Sequence, residues 1–280
     1  MSYRFGLIGY PIKHSLSPWI HGNFLHMAGL LGSYSLYEIN TQDSFTEQLK
    51  VLRKDKLDGF NITAPYKQKI IPFLDGIDKE AEAIGAVNTV VNTNGKWIGY
   101  NTDGIGYLRS LMNAYPFDLQ DKSKRILIFG AGGAARAILY TLSKNGFNYI
   151  DIANRTEDKA KELKLQYELS KTSLLSLQEA EQHLEEYDLI VQTTSIGMNS
   201  TQDSAIVSIN DKLSNKNIVS DIIYQPVSTR LLRDALNVGA RIHYGHTMLL
   251  YQAQYAFELW TNKQVKVDEM ENKLLEQLEG

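Results

Sequence analysis

Two short runs near the middle of the chain carry residue types suited to holding a phosphorylated ligand. Gly130-Ala131-Gly132-Gly133-Ala134-Ala135 directly follows the apolar run Ile126-Leu127-Ile128-Phe129 and fits GxGxxA through Gly130, Gly132 and Ala135. Gly130 permits a tight turn, Gly132 lets the backbone approach a pyrophosphate, and Ala135 lets a helix pack closely on the strand. The amides of this turn and helix start, Ala131, Gly133 and Ala134 included, would receive the phosphates. The spacing alone also suits an ordinary close helix-strand turn; the strand in front of it favours a dinucleotide site. After the next strand, Tyr149 to Ala153, comes Asn154-Arg155-Thr156, where an NAD-binding fold often places a carboxylate. Arg155 can pair with a ribose 2′-phosphate, Asn154 and Thr156 can donate hydrogen bonds, and Lys159 adds positive potential. NADP is therefore the expected cofactor, against the alternative of a solvated Arg/Lys pair at a helix entrance.

These runs need strands and helices to place them. Residues 4–9 read as a buried strand ending in a Gly-Tyr-Pro turn, followed by a helix over 18–27, a strand over 34–39, a helix over 45–54 and a strand over 59–63. Pro65 suits the first turn of a helix, where its missing amide costs nothing. Residues 87–92 and 96–100 read as strands joined through Thr-Asn-Gly, a favourable hairpin turn, and Asn101-Thr102-Asp103-Gly104 starts a helix. The polar stretch 115–124 reads as a seam between domains. A second alternating series then runs through strands at 125–129, 149–153, 188–193 and 218–221, with a long periodic helix over 247–260. Alternation of this kind predicts α/β architecture with mostly parallel sheets.

Composition narrows the function classes. With 280 residues, 43% hydrophobic and 22% charged, the chain is globular and long enough for one large core or two ordinary ones. The formal charge of -3 gives no general attraction to nucleic acid or anionic membrane, so neither is an expected partner. Cysteine is absent, which excludes disulfides, thiolate catalysis and Cys-ligated metal. The histidines match no HExxH spacing, so no metal is expected. Without a signal-like or transmembrane apolar run, a cytoplasmic location is expected.

The first half adds Ser15-Leu16-Ser17-Pro18, Asn61-Ile62-Thr63-Ala64-Pro65-Tyr66-Lys67, Gly85-Ala86-Val87-Asn88-Thr89 and Asn101-Thr102-Asp103-Gly104. Together with residues 130–137, 154–156 and Gly245-His246-Thr247-Met248-Leu249-Leu250-Tyr251-Gln252, this order of motifs resembles the shikimate dehydrogenase family from about residue 5 to 252. The resemblance implies an N-terminal, mostly parallel α/β substrate domain and a Rossmann-type doubly wound NADP domain. The substrate domain would take 1–104 and the returning helices of 241–280, and the NADP domain 105–240. It implies reversible reduction of 3-dehydroshikimate to shikimate with NADPH, in aromatic amino-acid biosynthesis, by a monomer or homodimer. Ser15 and Ser17 would then bind the substrate carboxylate, with Tyr224 near it. Asn61, Thr63, Lys67, Asn88, Asp103 and Gln252 would surround the ring hydroxyls, and Met198 and Gly245 would lie near nicotinamide. Thr247 departs from the pattern, since many members have a second glycine there.

The residue types suit that chemistry. A cyclic polyol acid needs donors for its carboxylate and mixed donors and acceptors for its hydroxyls. Ketone reduction develops negative charge on oxygen, which Lys67 can meet with a proton while Asp103 holds the amine in register. Singly, each residue has a plainer reading: Lys67 as an exposed helix lysine, Asp103 as a helix cap, Ser17 as the cap of the helix at Pro18, Ser15 as a turn residue. A quinate/shikimate dehydrogenase with broader specificity and a non-catalytic dinucleotide sensor are the competing functions.

Overall fold

The structure, a computed structural model, describes residues 2–167, 171–198, 201–209 and 211–279. The chain forms two compact units, Met1–Asp103 with Gln252–Val267, and Gly104–Tyr251 with Asp268–Gly280. The first changeover falls within the Asn-Thr-Asp-Gly run. The returning segment, expected over 241–280, is confined to 252–267 and begins inside a helix.

In the first unit β1 (Ser2–Gly9) lies between β2 (Leu31–Glu38) and β3 (Gly59–Ile62), parallel to both. The sheet continues through β5 (Thr89–Thr93) and β6 (Lys96–Tyr100) to β4 (Gly76–Ile77), with β5 antiparallel to each neighbour. The β5–β6 turn is the expected one, with Asn94 and Gly95 at φ 54° and 85°, the left-handed values that a two-residue hairpin requires. Around the sheet lie α1 (Ser17–Met27), α2 (Phe45–Lys54) and α3 (Lys79–Ile84). Strand alternation sends Ile8, Phe60 and Ile62 into a core with Leu49 and Leu52 of α2. Phe5 instead meets α9 (Gly245–Thr261), stacking on Trp260 at 4.5 Å and standing edge-on to Phe257. The Trp260 indole donates to the Val90 carbonyl at 2.9 Å, and its ring fills the space a side chain at Gly59 would need.

In the second unit every paired strand is parallel: β7 (Arg125–Phe129), β8 (Tyr149–Ala153), β9 (Leu174–Leu175), β10 (Leu189–Gln192), β11 (Ile218–Asp221) and β12 (Arg241–His243). Their spatial order β9-β8-β7-β10-β11-β12 reverses direction at β7, the doubly wound arrangement that opens a crevice beyond the carboxyl ends of the strands. β7 is buried on both faces. Ile126 and Ile128 join α4 (Asp103–Ala114) and α5 (Gly133–Lys144), whereas Leu127 and Phe129 join α8 (Arg230–Asn237). The other helices are α6 (Glu157–Gln166), α7 (Leu177–Gln182) and α10 (Asp268–Glu279).

Two expectations are corrected. The polar stretch 115–124 is not a seam. Leu119 enters the second core, Tyr115 donates to the Ile242 carbonyl at 2.6 Å, and Asp118 takes a bidentate pair from Arg241 at 2.7 and 2.8 Å. Pro65 starts no helix: the Ala64–Pro65 bond is cis and the chain turns through 64–70 before a short 3-10 turn at Ile71–Phe73. The turn follows Tyr66, which is drawn into the core, stacks on Phe45 and donates to the Ile39 carbonyl at 2.7 Å. Among the described residues no helix is long and apolar enough to cross a membrane.

Trp260→Phe should keep the ring packing but leave the Val90 carbonyl without its donor. A loss of about 1–3 kcal/mol is expected for such an unpaired buried group, measured by urea unfolding; unchanged stability would show that the indole hydrogen bond contributes nothing.

Candidate active site

Lys67 and Asp103, 36 residues apart, form an ion pair of 2.6 Å, with their side chains 27% and 9% exposed. The turn around Tyr66 presents Lys67, and the first residue of α4 presents Asp103. Asp103 is the first residue of α4 rather than its cap, and its amide donates to the Asn101 side chain at 3.1 Å. A carboxylate this buried needs every available donor. Its second oxygen takes the Asn88 amide at 2.7 Å.

From Asp103 a buried array extends through the first unit. Asn88 also donates to Thr102 Oγ1 at 2.9 Å, while its Oδ1 accepts from the Thr102 amide at 2.8 Å and from Thr89 Oγ1 at 3.0 Å. Asn61 donates to the Asn88 carbonyl at 3.2 Å and to Thr89 Oγ1 at 2.9 Å, which leaves its Oδ1 to accept from the Tyr34 hydroxyl at 2.8 Å. Ser17 offers its side chain to that phenol, whose pKa burial pushes well above its ordinary value. Ser15 Oγ lies 3.2 Å from Ser17 Oγ and accepts from the Ser17 amide, so it also completes a turn. Ser17 does not cap the helix; Leu16 holds that position without a side-chain bond. Thr63 follows β3 half-buried, and Gln252 of α9 takes a long contact from Thr102 at 3.4 Å.

Ser15, Ser17, Asn61, Asn88, Lys67, Asp103 and Gln252 thus belong to one polar surface, joined by three residues the motifs did not single out. Thr102 and Thr89 sat inside quoted motifs, so their neighbours were a signal. Tyr34 had none, lying on an edge strand 27 residues from its partner. His21, stacked flat on Tyr34 at 4.6 Å, is wholly buried and kept neutral, its pKa lowered to about 3 by desolvation.

In the second unit Gly130 has φ 113°, and a Cβ there would overlap Thr193 Oγ1. Gly132 and Gly133 have open space where a Cβ would stand, and no side chain caps the twelve-residue helix α5 that follows. Ala131 lies in the turn and Ala134 is the second residue of α5. Arg155, Thr156 and Lys159 are exposed beyond β8, and Asn154 already uses one amide proton on the Thr156 carbonyl at 2.7 Å. Met198, 40% exposed, follows β10, and Tyr224 and Gly245 follow β11 and β12. Burial raises the Tyr224 pKa.

Three family models match in chain order: the shikimate dehydrogenase substrate binding domain over residues 7–90, shikimate / quinate 5-dehydrogenase over 116–226, and the shikimate 5'-dehydrogenase C-terminal domain over 245–275. The chain is 50% identical over 281 residues to the shikimate dehydrogenase (NADP(+)) of Oceanobacillus iheyensis, covering 100% of both. The chain belongs to the shikimate dehydrogenase family. Its fold is similar to that of the Thermus thermophilus shikimate 5-dehydrogenase in complex with NADP(H) and shikimate, with a TM-score of 0.86 and 32% identity, covering 99% of this chain and 99% of that one. It is also similar to Corynebacterium glutamicum quinate dehydrogenase in complex with NAD, with a TM-score of 0.88 and 27% identity, covering 98% of this chain and 99% of that one.

The dinucleotide of this family fits the second unit, because the open glycines and uncapped α5 amides offer a phosphate its donors. Asp221, at the end of β11, holds the loop that carries Tyr224 by accepting from the Ile223 amide at 3.0 Å and Thr229 Oγ1 at 2.8 Å. Desolvation nevertheless dominates, pushing its pKa up from 3.8 to about 6. Between those values the unfolded chain has released this proton and the folded chain has not, so stability falls as pH rises from 4 to 6. Relative to Asp221→Asn, the wild-type unfolding free energy should decline by up to about 3 kcal/mol over that window, as measured by urea unfolding; a constant difference would contradict the burial effect.

Proposed function

We infer that the chain is an NADP-dependent shikimate dehydrogenase that reversibly reduces 3-dehydroshikimate to shikimate, in the supply of aromatic amino acids. The observation that carries the mechanism is the Lys67–Asp103 pair, 2.6 Å apart and fixed from its other side by Asn88. We assign the first unit to the substrate and the second to the cofactor.

Bound NADPH supplies the hydride to the ketone carbon. Lys67 Nζ gives a proton to the ketone oxygen as negative charge develops there, and its ammonium stabilises the forming alkoxide. Asp103 orients that ammonium and accepts from a neighbouring ring hydroxyl. In the reverse direction Lys67 takes the hydroxyl proton. Ser15 and Ser17 donate to the substrate carboxylate with Tyr224 beside it, and Asn61, Thr63, Asn88 and Gln252 meet the ring hydroxyls. Gly130, Ala131, Gly132, Gly133 and Ala134 form the pyrophosphate turn. Asn154, Arg155, Thr156 and Lys159 receive the adenosine ribose and its 2′-phosphate, and Met198 and Gly245 flank the nicotinamide. The cytoplasm, where NADPH is maintained as reductant, is the proposed setting, with the chain acting as a monomer or homodimer.

Absorbance at 340 nm with shikimate or quinate, each with NADP+ or NAD+, tests the reading. Shikimate with NADP+ should be the fastest combination, and Arg155→Ala should weaken NADP+ by roughly 10- to 150-fold while leaving NAD+ nearly unchanged, as loss of a hydrogen bond to a charged group requires. No turnover of shikimate with NADP+ would overturn the assignment, and equal weakening of both cofactors would remove Arg155 from phosphate recognition.

A further inference from the structure

The first turn of α9 carries Thr247, where the resemblance implies a glycine in many members, and the structure gives this residue specific partners. Thr247 is buried, and its Oγ1 lies 2.6 Å from the Tyr244 carbonyl and 3.1 Å from His243 Nε2. A carbonyl oxygen can only accept, so the threonine proton goes to Tyr244. Thr247 then has only lone pairs to offer His243, and Nε2 must carry the ring proton. The other ring nitrogen, Nδ1, is left as an acceptor for Ser220 Oγ at 2.9 Å. Burial keeps the ring neutral, its pKa lowered to about 3, so a single tautomer satisfies all three groups.

These bonds tie together β11, the end of β12 and the start of α9. Gly245 opens the helix so close to the preceding loop that a Cβ would overlap the backbone of Ile222 and the Ile223 carbonyl. That loop is held in turn by Asp221 through the Ile223 amide. Two successive residues of β11, Ser220 and Asp221, therefore fix the two stretches of backbone that meet at Gly245, all at the carboxyl end of a parallel sheet.

We propose that Thr247 is a positioning residue for the nicotinamide end of the cofactor, acting through the Thr247–His243–Ser220 tether to hold Gly245 in place. Glycine at 247 would remove the hydroxyl that lies 3.1 Å from His243 Nε2 in this chain. The inference rests on the reading above that Gly245 borders nicotinamide.

Thr247→Val keeps the shape of the side chain and removes its hydroxyl. Single-turnover hydride transfer should slow by about tenfold, the scale on which small misplacements of reacting groups act. NADP+ affinity should weaken severalfold, while affinity for adenosine 2′,5′-bisphosphate, which lacks the nicotinamide, stays within about twofold of wild type, and Thr247→Ser should restore both properties. Nitrogen-15 NMR should show the Nε2-protonated tautomer of His243 in the wild type and its loss in Thr247→Val. If Thr247→Val fails to fold, Ser220→Ala removes the far end of the tether and should give the same selective loss. Wild-type hydride transfer in a folded variant, or equal weakening of NADP+ and the bisphosphate, would overturn the proposal. Failure of wild type itself to bind NADP+ would instead overturn the functional reading on which it rests.

Discussion

Asp103 is a carboxylate held almost out of water, and it can only accept hydrogen bonds; much of the first unit's polar architecture follows from that constraint. Lys67 answers one oxygen and Asn88 the other. Once the Asn88 amide nitrogen faces Asp103, its oxygen must face the Thr102 amide and the Thr89 hydroxyl. Asn61, facing the Asn88 carbonyl with its own nitrogen, must turn its oxygen to Tyr34, which has to donate. Donation therefore runs in one sense from the serines at the start of α1 toward the ion pair. A buried network whose main path has a fixed direction limits the arrangements open to it, which favours holding the Lys67–Asp103 pair in a single geometry.

The second unit obeys a different constraint. The turn before α5, which we propose holds the cofactor, is marked by what is missing: no side chain at Gly132 or Gly133 and none capping α5, so backbone amides are left for a phosphate. Beyond β11 the logic reverses: the buried Asp221 side chain fastens the following loop through the Ile223 amide, and Ser220 holds His243 at the end of β12. The two units share no motif, yet each places its chemistry at strand ends or helix starts, where backbone groups left over from regular structure need partners.

Much of this was legible in the sequence because it is local. GxGxxA after an apolar strand and the Thr-Asn-Gly hairpin each describe a turn whose geometry a few adjacent residues determine. The family likeness, carried by motifs in order, brought Lys67, Asp103 and Asn88 together although they are far apart in the chain. What escaped depends on tertiary contact. Pro65 looked like a helix start because its ring fits one, but Tyr66 is drawn into the core and the chain turns instead. The polar stretch at 115–124 looked like a linker because Leu119 alone carries its burial and the Asp118–Arg241 pair spans 123 residues. Tyr34, on an exposed edge strand, gave no local sign of reaching Asn61. Thr247 stood out only as a departure from the pattern the resemblance implies, and nothing local pointed to its contact with His243 of β12.

The central claim is that Lys67 and Asp103 act as one catalytic unit. The most direct measurement is single-turnover hydride transfer from NADPH to 3-dehydroshikimate in Lys67→Ala, Asp103→Asn and the double variant, with circular dichroism and binding of both ligands as controls. Positioned proton transfer is worth roughly 10²- to 10⁴-fold, so each single variant should lose activity on that scale. The double variant should lose less than the product of the two, because either change already breaks the pair. A folded Lys67→Ala protein that binds both ligands and transfers hydride at the wild-type rate would contradict the account.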